Sequence, residues 1–334
     1  MTSYLPETGW TQLLAKLDRL PHALLIHGAP GVGKLALAER FAQLLLCEKR
    51  ISAFHHEGQG VAPCGNCEGC RWFLAGNHPD ARILEPEAVA LALARPATVA
   101  EEGEKEKARD TKPSLQIKIE QTRGLADFLH LAAHRGGRRV AIVHPAEDMN
   151  ASTANSLLKS LEEPPPGAVF LLVSHRPARL LPTIRSRCVP VPVPLPGPKA
   201  AVAWLAAQGV RMPERWLAFA GGAPLRALDY ATGEQGQAIE RVLRGLAAGD
   251  RHALAEVKNR EELEPLAEVL QKIALDRAFA AFSGRSKYGG AAVAGDARAW
   301  LAYARAMGRH RALTGHPLNP KLFAAEMVAG MPKN

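Results

Sequence analysis

"HALLIHGAPGVGKLALAERFAQLLL", His22 to Leu46, decides how this chain is read. A short apolar run is followed by a glycine-rich turn, and then by apolar residues at helical spacing: Leu35, Ala38, Phe41 and Leu45. Strand, loop and helix in that order give a Gly-x-x-x-x-Gly-Lys pattern its meaning: loop amides cradle phosphate groups and the lysine reaches the outer ones. Gly28, Gly31, Val32, Gly33 and Lys34 occupy the pattern, but Leu35 stands where it calls for Ser or Thr. That hydroxyl normally holds Mg²⁺, and leucine has no atom that ligates a metal. Three readings follow: an NTPase, a site that binds ATP or ADP without hydrolysing it, or a remnant.

A second apolar strand bears on the choice. In hydrolysing P-loop proteins it ends in an acid that positions the metal, often beside a group that orients water. The candidate here is "RRVAIVHPAEDMN", Arg138 to Asn150, and the residues after the strand are His144 and Pro145. Glu147 and Asp148 are expected to lie beyond the tip. The hydroxyl and the carboxylates are lost independently, so the loop's own site is expected not to hydrolyse nucleotide.

The chain around these segments has 334 residues, enough for two or three domains, and 47% of them are apolar, enough for real cores. A formal charge of +9 permits contact with nucleic acid, and a solvated Arg-rich surface accounts for it equally well. The opening MTSYLPETGW has no basic n-region followed by an apolar stretch, and no apolar run approaches the ~18 residues of a membrane span, so a cytoplasmic protein is expected. Apolar runs alternate with helical patterns as far as "AVFLLVS", Ala168 to Ser174. Runs apolar on both faces point to an α/β parallel sheet covered by helices. The Pro-rich run Val189–Pro198 reads as a boundary, and only helical periodicity follows it. The expected organisation is an α/β P-loop domain over 1–195, a small helical domain over 196–232 and an all-α domain over 235–330. The stretch 87–113, Ala-rich and then charged, reads as a flexible insertion.

Five cysteines in a reducing compartment point to a metal site or buried thiols before disulfides. Cys64, Cys67 and Cys70 form C-x₂-C-x₂-C, and Cys47 ends the helix after the loop, completing a tetrahedral thiolate set for structural Zn²⁺ over residues 47–70. An iron–sulfur cluster is the rival, but its run carries a fourth Cys followed by Pro, and that position here is Leu74. His55, His56 and His78 are alternatives to Cys47 as fourth ligand. Cys188 reads as a buried thiol.

"HALLIHGAPGVGK", the four-cysteine set, "NHPD" at Asn77–Asp80, "NSLLKSLEEPP" at Asn155–Pro165 and "LLPTIRSRC" at Leu180–Cys188 lie in order over the first 190 or so residues. Together they resemble the clamp-loader subunits of bacterial DNA polymerase III, members of the AAA+ family, and within them the type that is not an ATPase. The resemblance implies an AAA+ domain followed by a small lid and a C-terminal collar that joins subunits into a ring. It implies gamma/tau motor subunits, delta, the sliding clamp and primer-template DNA as partners within the replication holoenzyme, with no intrinsic polymerase or ATPase activity. Arg187 of "SRC" takes the place of the arginine finger, acting in trans on a neighbour's ATP. Ser174 takes the place of the polar phosphate sensor, and Arg226 in "GGAPLRAL" that of the lid's sensor arginine. Two other readings remain: an active clamp-loader motor, and a zinc-containing nucleic-acid-binding module for which the P-loop fold is a scaffold.

Overall fold

The structure, a computed structural model, describes residues 4–55, 58–95, 113–131, 133–134, 137–248, 250, 255–257, 259–288 and 296–332. The chain divides into two compact units, Met1–Leu195 and Pro196–Asn334. The first begins with α1 (Glu7–Leu14), β1 (Ala23–His27) and α2 (Lys34–Leu45), then a hairpin of β2 (Ile51–His55) and β3 (Gly58–Ala62), and α3 (Glu68–Leu74). It continues with β4 (Ala81–Leu84), α4 (Glu87–Ala92), α5 (Ile119–His130), β5 (Arg139–Val143), α6 (Ala151–Glu162), β6 (Ala168–Ser174), α7 (Pro182–Arg187) and β7 (Val189–Pro192).

Five of these strands form one parallel sheet in the order β4-β5-β6-β1-β7. Every residue of β5 and β6 is buried, as the apolar runs Val140–Val143 and Ala168–Val173 require of strands covered on both faces. One face packs Leu25, Val143, Phe170 and Leu172 against Leu125 and Phe128 of α5 and Leu157 and Leu161 of α6. On the other, α2 lies against β1, β5 and β6, and α1 against α2 and β7. There Trp10 meets Phe41 edge to face, ring centroids 6.4 Å apart. Burying a side chain such as Phe41 or Phe170 stabilises the unit by about 1.5–3 kcal/mol.

The strand β7 falls inside the Pro-rich run that reads in sequence only as a boundary. It is an edge strand, paired with β1 alone. Val193 N donates to His27 O at 2.7 Å, so Pro190 and Pro192 take the alternate positions, whose missing N–H would face away from β1. Val191 is buried between two exposed prolines. The hairpin β2–β3, another element without a sequence signal, spans much of the chain between Cys47 and Cys64. The expected insertion 87–113 begins as α4, and its residues 96–112 lie outside the described residues.

The second unit is helical: α8 (Pro198–Ala207), α9 (Pro213–Phe219), α10 (Pro224–Thr232), α11 (Glu234–Ala248), α12 (Leu263–Ser283), α13 (Ala297–Leu313) and α14 (Pro320–Ala329). Proline opens α8, α9, α10 and α14, where its fixed φ suits the first turn and its missing N–H costs nothing. Segments 196–232 and 235–330 share one core, with Leu205, Trp216 and Phe219 in the same cluster as Leu270, Trp300, Met307 and Phe323. On α12, Leu275, Phe279 and Phe282 stand 47%, 46% and 77% exposed, one stripe at helical spacing. Among the described residues, no helix is long and apolar enough to cross a membrane.

Candidate functional site

The loop Gly28–Gly33 leaves the C-terminal end of β1, the edge at which parallel sheets bind ligands. Gly28 has φ +156°, and a Cβ there would lie 2.2 Å from the carbonyl oxygen of Val193. Only glycine lets the loop pass that close to the chain beyond β7. Gly33, at φ +88°, is the N-cap of α2, and its Cβ would meet the Tyr4 carbonyl oxygen at 2.6 Å. No side chain caps α2 and no acid lies in its first turn. Its N-terminal amides and the positive end of its dipole are therefore available to an anion.

Lys34 is only 2% exposed, and its Nζ donates to the carbonyls of Gly28 at 2.8 Å and Ala29 at 2.6 Å. Burial pulls the ammonium down to about 8, opposed by the charge of Glu147. Val32 is fully buried and anchors the loop. Leu35 is half-buried on α2 and offers no ligand.

Two further strand ends, those of β6 and β5, adjoin this corner. Ser174, the last residue of β6, is fully buried; its carbonyl accepts from Gly28 N at 3.3 Å and its Oγ from Arg176 N at 3.2 Å. His144, which follows β5, is 8% exposed and held down to about 3 by burial, then by His175, Arg95 and Lys34. His175 is held down to about 4, chiefly by burial and then by Lys34. The two rings meet edge to face with centroids 5.5 Å apart. Both are neutral imidazoles at pH 7.

Glu147 does not stay beyond the tip of β5 as its place in the sequence suggests. A 3-10 turn, Ala146–Asp148, folds it back, and its Oε1 accepts from the amides of His175 at 2.9 Å and Arg176 at 3.0 Å. It thereby fixes the turn after β6 and lends its charge to Lys34. An acid four residues past an apolar strand carries no signal of this, because the capped amides belong to a segment 28 and 29 residues away. The structure thus gathers Gly28, Gly31, Val32, Gly33, Lys34 and Ser174, and adds His144, Glu147 and His175.

Arg226 belongs to the second unit, where its Nη2 pairs with Glu268. The same carboxylate takes Lys272 at 2.7 Å and the Tyr230 hydroxyl at 3.2 Å, so Arg226 is one member of a local charged network. Arg187 closes α7 at the surface. Its Nη1 donates to Thr183 O at 2.9 Å, and its Nη2 lies 2.6 Å from Glu162 Oε1 at the end of α6.

The four thiols expected to form one set lie together: the sulfurs of Cys47, Cys64, Cys67 and Cys70 are all within 4.8 Å of one another. Cys47 Sγ and Cys67 Sγ are 3.9 Å apart, and Cys64 Sγ and Cys70 Sγ 4.0 Å. A tetrahedron with Zn–S of ~2.3 Å has edges of about 3.8 Å, so the set fits such an ion. Backbone amides of Cys64, Cys67 and Cys70 point at the sulfurs of Cys47, Cys64 and Cys67 at 3.3, 3.3 and 3.4 Å, the arrangement that favours thiolate. Amide donors draw Cys64 down to about 6, while burial pushes Cys47 and Cys70 up, a direction that a bound cation reverses. His78 stands apart from the sulfur set, its Nδ1 accepting from Asp80 N at 3.0 Å. The His56 alternative lies outside the described residues, as does the side chain of His55. Cys188 is buried, which pushes its thiol up to about 12.

The sequence profile of the family described as "DNA polymerase III, delta subunit" matches residues 10–196. The chain is 38% identical over 274 residues to DNA polymerase III subunit delta' of Pseudomonas aeruginosa, spanning 81% of this chain and 71% of that one. It is 33% identical over 248 residues to subunit delta' of Escherichia coli, spanning 72% of this chain and 65% of that one. Subunit tau of Escherichia coli is 32% identical over 173 residues, 52% of this chain and 22% of its own. The extended match to the first two relatives and the family profile over more than half of the sequence decide the assignment: the chain belongs to the DNA polymerase III delta' family.

Proposed function

We propose that this chain is a non-hydrolysing subunit of the clamp loader, which completes a neighbouring subunit's ATP site with Arg187 during loading of the sliding clamp onto primer-template DNA. One observation carries the reading: around Lys34, the positions that would hold Mg²⁺ and activate water are Leu35, His144 and Pro145, none of which has a metal-binding oxygen in its side chain. A neutral His144 at a strand end cannot replace a carboxylate as a metal-charge partner, and Glu147, which folds back to this corner, has its Oε1 taken by the amides of His175 and Arg176. The loop keeps its amides and Lys34, so it retains what binding a phosphate group needs and lacks what cleaving one needs. Arg187 stands at the end of α7 with its guanidinium at the surface, and a trans arginine is worth ~10³–10⁵ in rate where measured in GTPases.

The other parts take supporting roles. Cys47, Cys64, Cys67 and Cys70 would hold a structural zinc, which fastens the end of α2 to α3 and closes the β2–β3 hairpin between them. The exposed stripe Leu275, Phe279 and Phe282 on α12 suits contact with the helical units of gamma/tau and delta subunits in a ring. Ser174 and Arg226 would be retained sensors with no hydrolysis to report. The chain works in the cytoplasm, and its DNA contacts are made within the complex.

Magnesium-dependent ATP turnover by the purified chain tests the reading. The expected rate is background at saturating ATP, and release of phosphate that EDTA abolishes would overturn it.

A further inference from the structure

Glu162 is the last residue of α6, and Glu163 follows it as the C-cap. The negative end of a helix dipole disfavours a carboxylate at this place, so α6 itself gains nothing from the acid. What Glu162 meets is the last residue of α7, Arg187, whose Nη2 lies 2.6 Å from its Oε1. Glu163 makes no such contact, and its carboxylate has no ion pair among the described residues. Both acids are exposed, so the two differ in partner and not in charge or access to water.

The two helix ends are fixed to one another beneath the pair. Leu161, beside Glu162, and Ile184, one turn before Arg187, are 1% and 0% exposed in the same apolar cluster. Neither backbone can shift without opening that packing. Arg187 Nη1 takes a second hold on the carbonyl of Thr183 at 2.9 Å, within its own helix. Ser186 Oγ lies 3.5 Å from the same nitrogen, too far to compete strongly. A guanidinium has five N–H groups in a rigid plane, two on each terminal nitrogen and one on Nε. The contacts to Glu162 and Thr183 take one from each terminal nitrogen, which fixes the plane and leaves three for an anion. An untethered surface arginine samples many rotamers and gives them up each time it meets a phosphate. A tethered one gives them up on folding, so more of its attraction for charge in the transition state is retained.

We propose that Glu162 is the positioning residue of Arg187, holding its guanidinium in the plane from which it meets a neighbouring subunit's ATP. This deepens the reading of Arg187 as an arginine acting in trans, and rests on it. Glu162 itself touches no nucleotide and acts only through Arg187.

Steady-state ATPase of the reconstituted clamp loader tests this, with Glu162→Gln, Glu163→Gln, Arg187→Ala, or Glu162→Gln combined with Arg187→Ala in this chain. Glu162→Gln should lower the Arg187-dependent part of the maximal rate by about threefold or more, with KM for ATP unchanged within about twofold. Glu163→Gln removes the same charge one residue away and should leave both values as they are. In the chain that already lacks Arg187, Glu162→Gln should have no further effect, the mark of a residue that acts through another. Loss of rate with Arg187→Ala but not with Glu162→Gln would overturn the positioning role and leave the trans arginine standing. A higher rate with Glu162→Gln would also overturn it, since the carboxylate would then be masking the arginine. So would a further loss in the double variant, which would give Glu162 a role of its own. Full rate with Arg187→Ala would remove both the positioning role and the reading beneath it.

Discussion

Arg187 and Glu162 form an ion pair across two helix ends, Nη2 to Oε1 at 2.6 Å, while the other guanidinium arm is tied to Thr183 O within α7. The arginine proposed to reach a neighbour's ATP is thus held in direction by its own chain. Both side chains are about a third to a half exposed, at 35% and 48%. Ion pairs in such positions contribute about 0–1 kcal/mol to stability. Glu162→Gln should accordingly leave the melting temperature nearly unchanged, with a shift beyond that range counting against a purely surface pair. Arg187→Ala should behave likewise in the isolated chain.

The sulfur cluster predicts its metal. Elemental analysis of the purified chain should return about one zinc per chain and no iron. Cys67→Ser should abolish that zinc and lower the melting temperature, because Cys67 both belongs to the set and caps α3 by accepting from Cys70 N. Iron in stoichiometric amount would replace the zinc reading with a cluster.

The stripe on α12 predicts a separation of folding from assembly. Phe282 is 77% exposed, so Phe282→Ser should change the unfolding free energy by within about 0.5 kcal/mol. Co-purification with gamma/tau and delta subunits should drop several-fold. Undiminished assembly would remove this face from the ring contact.

Two neutral histidines predict the acid limb of stability. Folded His144 and His175 titrate at about 3 and about 4, below the ordinary value of 6.5. Between pH 6.5 and about 4 the unfolded chain therefore binds the extra protons, and stability falls as pH falls through that window. Denaturant unfolding at pH 7 and pH 5 measures the drop. His175→Gln should reduce it, and an unchanged pH slope in that variant would contradict the assignment.

The packed interior predicts a large local cost. Phe170 sits fully buried at the centre of the sheet, and Phe170→Ala should destabilise the protein by ~3–5 kcal/mol, read from the urea midpoint.

Much of this molecule is legible in its sequence, for identifiable reasons. The strands β5 and β6 announce themselves because burial on both faces leaves no polar alternation, and α2 because Leu35, Ala38, Phe41 and Leu45 recur at helical spacing. Cys64, Cys67 and Cys70 are legible because they recur every three residues, and the fold brings Cys47 to them. The strand β7 is hidden because proline argues against a strand, and only its edge position makes Pro190 and Pro192 tolerable. Glu147 is hidden for a different reason. Its partners are amides of a distant turn, and backbone donors leave no residue signature. His144 is visible in sequence only as a missing acid, and its pairing with His175 arises where two parallel strands end side by side.

Steady-state ATPase of the reconstituted clamp loader is the sharpest test of chemistry in trans. With Arg187→Ala in this chain, the assembly should stay intact while turnover at the site facing this subunit falls by about tenfold or more. Full turnover in an intact assembly carrying Arg187→Ala would contradict it.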